Sequence, residues 1–239
     1  MTQPGRNLEL QVTHATHLTP AHIRTVWLGR VPYREAWEIQ RRVHACVVDG
    51  GESVLLLCEH APVYTLGSRS DAGHLLRSDA EYAELGAEVV QADRGGDVTF
   101  HGPGQLVGYP IFRLEDMPCG RDLHGFLRLL EAALIDAASA LGVRAFTVAG
   151  KTGVWTGEGK IAAMGLRCAR WVSMHGFAFN VDTDLRWFSH IVPCGLAEPV
   201  TSLRASGSGV NMAQAREACV AAICARFEVL AVEGMVPTV

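Results

Sequence analysis

The segment Arg94, Gly95, Gly96, Asp97, Val98, Thr99, Phe100 and His101 combines paired glycines with a guanidinium at one end and an imidazole at the other. Glycines let backbone N–H groups come close to a ligand, and Arg94 and His101 add polar contacts at the two ends. The run continues through Gly102-Pro-Gly104 to Gly108, longer than a tight turn requires. A second candidate is Cys194 in Ile191-Val-Pro-Cys194-Gly-Leu, where the flanking proline and glycine imply a fixed, exposed turn. Such exposure suits a nucleophile, although a cysteine taken alone is more often an inert small hydrophobe. Six other cysteines compete for the role, and most of them fall on apolar faces of helices or strands. Lys160 opens Lys160-Ile-Ala-Ala-Met-Gly165 directly after the turn at Gly157-Glu-Gly159. By itself it is a solvated loop lysine. Beside Cys194, its charge would favour the thiolate, or its neutral amine would take the thiol proton; the residues alone leave both roles open.

Other chemistries fail on inspection. Gly102-Pro-Gly104 has Val107 where a dinucleotide fingerprint needs its third glycine, and Gly150-Lys-Thr152 has Ala145 where a phosphate loop needs its first. No HExxH occurs, and His14, His17 and His22 lie in or beside the N-terminal leader, so no metal is expected. A net charge of -4 gives no support for a generally nucleic-acid-binding surface. No apolar run approaches the roughly 20 residues that span a bilayer, so no membrane association is expected. The seven cysteines are odd in number, lack CxxC spacing and follow no basic-then-apolar signal, which reads as reduced thiols in the cytoplasm.

The elements that must position these residues are legible from periodicity. Residues 1 to about 20 read as a partly ordered leader, and 21–239 as one catalytic domain. A strand is expected at Arg24 to Leu28. Tyr33 to Val48 fits a helix with Ala36, Ile39, Val43 and Val47 on one buried face, and Val54 to Cys58 a buried strand. Ser78-Asp-Ala-Glu81 has the capping-box pattern of a short helix, and Glu88 to Gln91 reads as a strand that delivers the chain to Arg94. Asp122 caps a helix running to Leu141 and stopped by Gly142, with Phe126, Leu129, Leu130, Ala133 and Leu134 on its apolar face. Strands are expected at Val143 to Val148, Gly153 to Thr156, Lys160 to Cys168 and Phe177 to Val181. A last helix from about Met212 to Leu230 packs Ala218, Ala221, Ala222 and Phe227. Strands and helices interleave unevenly, which indicates an α+β fold of mixed sheets with flanking helices.

Taken in order, several of these pieces resemble the lipoyl (octanoyl) transferases of lipoate biosynthesis. They are Arg94 to His101 with Gly102-Pro-Gly104-Gln-Leu, then Gly153-Val-Trp155, Lys160-Ile-Ala-Ala-Met-Gly165, His175-Gly-Phe-Ala178 with Asn180, and Pro193-Cys194-Gly195 with Thr201-Ser-Leu203. The resemblance runs from about Val26 to about Leu230; the leader lies outside it. It implies a fold similar to the catalytic domains of biotin protein ligases and lipoate ligases. It also implies that Cys194 is the acyl-thioester nucleophile and that Lys160 favours its thiolate. Arg94 to His101, Ala163, Met164 and Gly165, and Gly176, Phe177 and Ala178 resemble the segments that line the acyl site, with Phe100, Met164 and Phe177 expected as apolar walls.

The implied donor is octanoyl-acyl carrier protein, and the implied acceptors are lipoyl domains of 2-oxoacid dehydrogenases and the glycine cleavage H protein, with no cofactor. Burying an eight-carbon chain supplies on the order of 5 kcal/mol, whereas one methylene discriminates by only about 1 to 3 kcal/mol, so selection of chain length needs a closed end to the pocket. The competing expectations are an ATP-dependent lipoate or biotin ligase, a thioesterase, and a noncatalytic acyl-binding protein.

Overall fold

The computed structural model describes residues 21–192 and 199–237. Residues 1–20, expected as a leader, and Cys194 lie outside the described residues. In chain order the elements are β1 (Ala21–Arg30), α1 (Tyr33–Val48), β2 (Val54–Glu59), β3 (Val63–Leu66), α2 (Asp79–Glu84), β4 (Glu88–Gln91), β5 (Thr99–His101) and β6 (Gln105–Ile111). They continue as α3 (Leu123–Ala140), β7 (Val154–Thr156), β8 (Gly159–Ala169), β9 (Val172–Asn180), α4 (Met212–Phe227) and β10 (Val229–Glu233).

Two mixed sheets organise the fold, as the uneven interleaving predicted. The larger has the order β10-β1-β2-β6-β9-β8-β7, the smaller β4-β3-β5. In the larger, β1 runs parallel to both β10 and β2, while the other neighbours are antiparallel. Successive side chains of a strand face opposite sides, and β2 shows the consequence. Leu55 and Leu57 join the core built with Phe126, Leu130 and Leu134 of α3 and Ala215, Ile223 and Phe227 of α4. Val54, Leu56 and Cys58 instead meet Ala36, Ile39, Val43 and Val47 of α1. The large sheet is thereby covered by α3 and α4 on one face and by α1 on the other.

Capping fixes the helix starts where the sequence places them. Asp122 accepts from the His124 N–H at 2.9 Å at the head of α3, and Ser78 and Glu81 form a reciprocal capping box on α2. Three expectations are corrected, and one run left unassigned is resolved. Residues 143–148 form no strand: Val143 N–H stays with Ala138 O at the end of α3 and Val148 O accepts from Lys151 N–H in a turn, which leaves Phe146 alone to bridge to Trp155. The glycine-rich run after Arg94 contains two strands, β5 and β6, since its glycines are spaced widely enough for Thr99–His101 and Gln105–Ile111 to pair. The last helix stops at Phe227, where Glu228 turns left-handed (φ 55°), and the chain continues as β10 beside β1. Ala221 is exposed and Ala218 half-buried, because Ala215, Cys219, Ala222, Ile223 and Phe227 carry the buried face.

Glu228 occupies a helix C-terminal position that glycine fills without a Cβ penalty. Glu228→Gly is therefore expected to stabilise the protein by about 0.5–1 kcal/mol, read as a higher urea midpoint with unchanged slope. Glu228→Ala, which keeps the Cβ, is expected to give no such gain.

Candidate active site

A cleft of about 510 Å³ opens between the small sheet with its preceding glycine-rich loop and strands β6, β8 and β9 of the large one. Close backbone approach builds its floor. A Cβ on Gly165 would lie 2.6 Å from Gly95 O, and one on Gly176 would lie 2.1 Å from Gly108 O, so only glycine permits these crossings. The glycine-rich loop is strapped to β8 by Gly95 N–H donating to Leu166 O at 2.9 Å.

Of the expected site residues, Cys194 lies outside the described residues, and the others are brought together with one exception. Arg94, Gly95, Gly96, Asp97, Val98, Thr99 and His101 line the cleft, as do Lys160, Ala163, Met164, Gly165, Gly176, Phe177 and Ala178. Phe100 turns away: it is fully buried and stacks on Trp187 at 5.2 Å, within a cluster holding Tyr64, Tyr82 and Ile191. Strand alternation explains this, since Thr99 and His101 take the cleft side of β5 and leave Phe100 the other. The cleft also collects residues that periodicity alone did not single out. Tyr33 and Tyr109 come from the buried faces of α1 and β6, and His175 from β9. Leu123, Leu127 and Arg128 come from the first turns of α3, and Gly150-Lys-Thr152 supplies a wall in place of a nucleotide loop.

Polar groups around the cleft are held in a network. Arg94 Nη2 donates to the Thr65 carbonyl at 2.5 Å and to its hydroxyl at 2.8 Å. His101 Nδ1 contacts Gln105 Oε1 at 2.8 Å, and Gln105 Nε2 donates to Asn180 Oδ1 at 2.9 Å. His60 sits between Val31 O (2.8 Å) and the Tyr109 hydroxyl (2.7 Å). Tyr33 stacks on His101 with nearly parallel rings. Burial pushes His60 down to about 4, and burial, reinforced by His60 and Arg94, pushes His101 well below the ordinary imidazole range. Both imidazoles are accordingly neutral near neutral pH.

Lys160 is half-buried, with Nζ 4.7 Å above the Trp155 ring. Its backbone is fixed on both sides: Lys160 N–H donates to Pro199 O and Thr201 N–H donates to Lys160 O, each at 2.9 Å. Thr201 and Ser206 hydroxyls donate to Glu158 Oε2 in the neighbouring turn at 3.3 and 3.1 Å. On the other flank, Val192 N–H donates to His74 O at 2.9 Å, and His74 Nδ1 lies 2.6 Å from Asp97 Oδ2 in the cleft lining. The described residues on either side of 193–198 are thus tied to opposite walls of one cleft.

With this geometry in place, comparison with known proteins is informative. Residues 32–224 match the lipoyl protein ligase A/B catalytic domain, and the chain belongs to that family. It is 50% identical over 203 residues to an octanoyltransferase of Geobacter sulfurreducens, covering 83% of this chain and 82% of that one. It is 48% identical to an octanoyltransferase of Gloeobacter violaceus, covering 84% and 88%. Among solved structures, lipoate-protein ligase A bound with ATP is similar in fold at 18% identity and a TM-score of 0.73, with 90% of each chain covered. A bipartite lipoate protein ligase of Thermoplasma acidophilum gives 0.71 at 16% identity, covering 91% of this chain and 88% of that chain.

The neutral buried His60 makes a checkable contribution to stability. Its folded pKa is depressed, so the unfolded state binds the extra proton and stability is lost as pH falls from about 6.5 toward 4. Between pH 7 and pH 5 His60 alone is expected to cost about 2 kcal/mol, seen in urea unfolding. His60→Gln should flatten that pH dependence; an equal slope in both proteins would exclude His60 as its source.

Proposed function

We propose that this protein transfers an octanoyl group from octanoyl-acyl carrier protein to a lysine of lipoyl domains, through a thioester on Cys194. The observation that carries the reading is the cleft around Lys160. Both described flanks of the Cys194 segment are hydrogen-bonded to residues of that cleft or to their immediate partners. The octanoyltransferase relatives support the choice of acyl group and reaction. Burial pushes the thiols of Cys58, Cys119, Cys168, Cys219 and Cys224 upward, which disfavours each of them as a nucleophile.

In the first step the Cys194 thiolate attacks the donor thioester carbonyl. The new carbon–sulfur bond forms, and the phosphopantetheine thiolate leaves and takes up a proton. Lys160 has the charge to hold Cys194 as thiolate. The acceptor lysine, as the neutral amine, then attacks the octanoyl thioester; the carbon–sulfur bond breaks, an amide forms, the nitrogen's surplus proton passes to solvent, and the Cys194 thiolate returns. Ala163, Met164, Phe177 and Ala178 offer the chain an apolar bed. Arg69, Arg128 and Lys151 at the same cleft suit the phosphodiester of the donor's arm. Partners are the acyl carrier protein as donor and lipoyl domains of 2-oxoacid dehydrogenases and the glycine cleavage H protein as acceptors.

Incubation with octanoyl-acyl carrier protein and a lipoyl domain, without ATP, is expected to octanoylate the domain. Omitting the domain should leave one hydroxylamine-sensitive octanoyl adduct on the protein, mapping to Cys194 and absent from Cys194→Ala. An absolute requirement for ATP with free octanoate would favour a ligase, and release of free octanoate in place of domain acylation would favour a thioesterase.

A further inference from the structure

The buried face of α3 runs through Phe126, Leu130, Ala133, Leu134 and Ala137, and Glu131 sits on it, 1% exposed. Among the described residues it is the one buried carboxylate. A carboxylate taken out of water is costly unless it is paired and hydrogen-bonded, so a glutamate in that place answers to specific partners. Its two oxygens have one each. Oε2 pairs with Arg128, one turn back on α3, and Oε1 accepts from the Gly153 N–H at 2.9 Å. The first partner lines the cleft, and the second directly follows the Gly150-Lys-Thr152 wall and leads into β7.

Gly153 in turn borders Lys160. It adopts φ 131°, which side chains rarely allow, and an added Cβ would lie 2.6 Å from Ala162 O and 3.3 Å from Lys160 Cε. The bare Gly153 backbone therefore walls the end of the Lys160 side chain on one side, and the Trp155 ring, its centroid 4.7 Å from Nζ, walls it on another. The same Cβ would lie 3.4 Å from Trp155 Cη2, so glycine, ring and lysine close on one small space. Main-chain bonds to Pro199 and Thr201 fix the Lys160 backbone but leave its four-carbon stem free to turn. The wall bounds that stem, and Glu131 fastens the wall to α3.

We propose that Glu131 is the positioning residue of the cleft: through Gly153 it holds the Lys160 side chain in its working place, and with its other oxygen it holds Arg128. The proposal rests on the reading of Lys160 as the activator of Cys194 and adds to it the group that sets the lysine's position. The role is one of reach, a side chain on α3 long enough to accept from the Gly153 N–H. A negative charge there would by itself work against the Cys194 thiolate, so reach and charge act on the thiol in opposite directions.

Two variants separate reach from charge. Glu131→Asp keeps the charge and draws the carboxylate back from Gly153 by one methylene, whereas Glu131→Gln keeps the length and a carbonyl acceptor and removes the charge. The readout is the pH midpoint of Cys194 alkylation in the folded full-length protein, with Lys160→Ala as the reference. Glu131→Asp is expected to raise the midpoint by on the order of half a unit to one unit, toward that of Lys160→Ala, and to slow octanoyl transfer on the order of tenfold. Glu131→Gln is expected to keep the midpoint at or below the wild-type value. A wild-type midpoint in folded Glu131→Asp, or a rise in Glu131→Gln as large as in Glu131→Asp, would overturn the proposal. If Lys160→Ala itself leaves the midpoint unmoved, the activating role of Lys160 fails and this inference with it; a shift in Lys160→Ala without one in Glu131→Asp defeats the inference alone.

Discussion

At Lys160 the backbone of β8 donates to Pro199 and accepts from Thr201, and further along the same strand Leu166 accepts from Gly95. The rest of the cleft depends on this shared strand. One strand carries the proposed activating lysine and anchors the described residues C-terminal to the proposed nucleophile, and it also ties down the glycine-rich loop. Backbone hydrogen bonds of this kind are directional and short, so they fix positions that long side chains alone would leave adjustable. Glycines at 95 and 165 are the condition for the bond from Gly95 to Leu166: a Cβ at either would press on the facing backbone, Leu166 O or Gly95 O.

The electrostatics follow from the same arrangement. Cationic side chains outnumber acidic ones along the cleft, with Arg69, Arg94, Arg128, Lys151 and Lys160 facing Asp97. Behind them His60 and His101 are buried and neutral. The histidines therefore serve geometry, holding Tyr109, Gln105 and through it Asn180, while charge is left to lysine and arginine. A thioester exchange followed by aminolysis needs a favoured thiolate and a path for an amine, and a cation in the cleft offers the first of these.

Much of this was legible in the sequence because it rests on local patterns. The faces of α1 and α3, the cap at Asp122, the capping box at Ser78 and the strand at Lys160 each follow from spacing within one element. The segment from Arg94 to His101 stood out for its glycines, and all of it but Phe100 reaches the cleft. What escaped was non-local. Nothing near Phe100 indicates that Trp187, nearly ninety positions later, will claim its ring. Tyr33 and His175 belong to elements whose periodicity explains their burial, so only the packing of α1 against β9 reveals that both reach the cleft. The parallel pairing of β10 with β1 joins the two ends of the described chain, and a helical reading through Leu230 had no local reason to stop except Glu228, which does not advertise a left-handed turn.

The central claim is that Lys160 activates Cys194, and its most direct test is the pH dependence of Cys194 alkylation in the folded protein. Iodoacetamide labelling followed by peptide mapping should give a midpoint below the value of about 8.5 for a free cysteine. Lys160→Ala should move that midpoint upward, and Lys160→Arg, which keeps the charge, should retain much of the lowering. A midpoint that is the same in wild type and in folded Lys160→Ala would contradict the account.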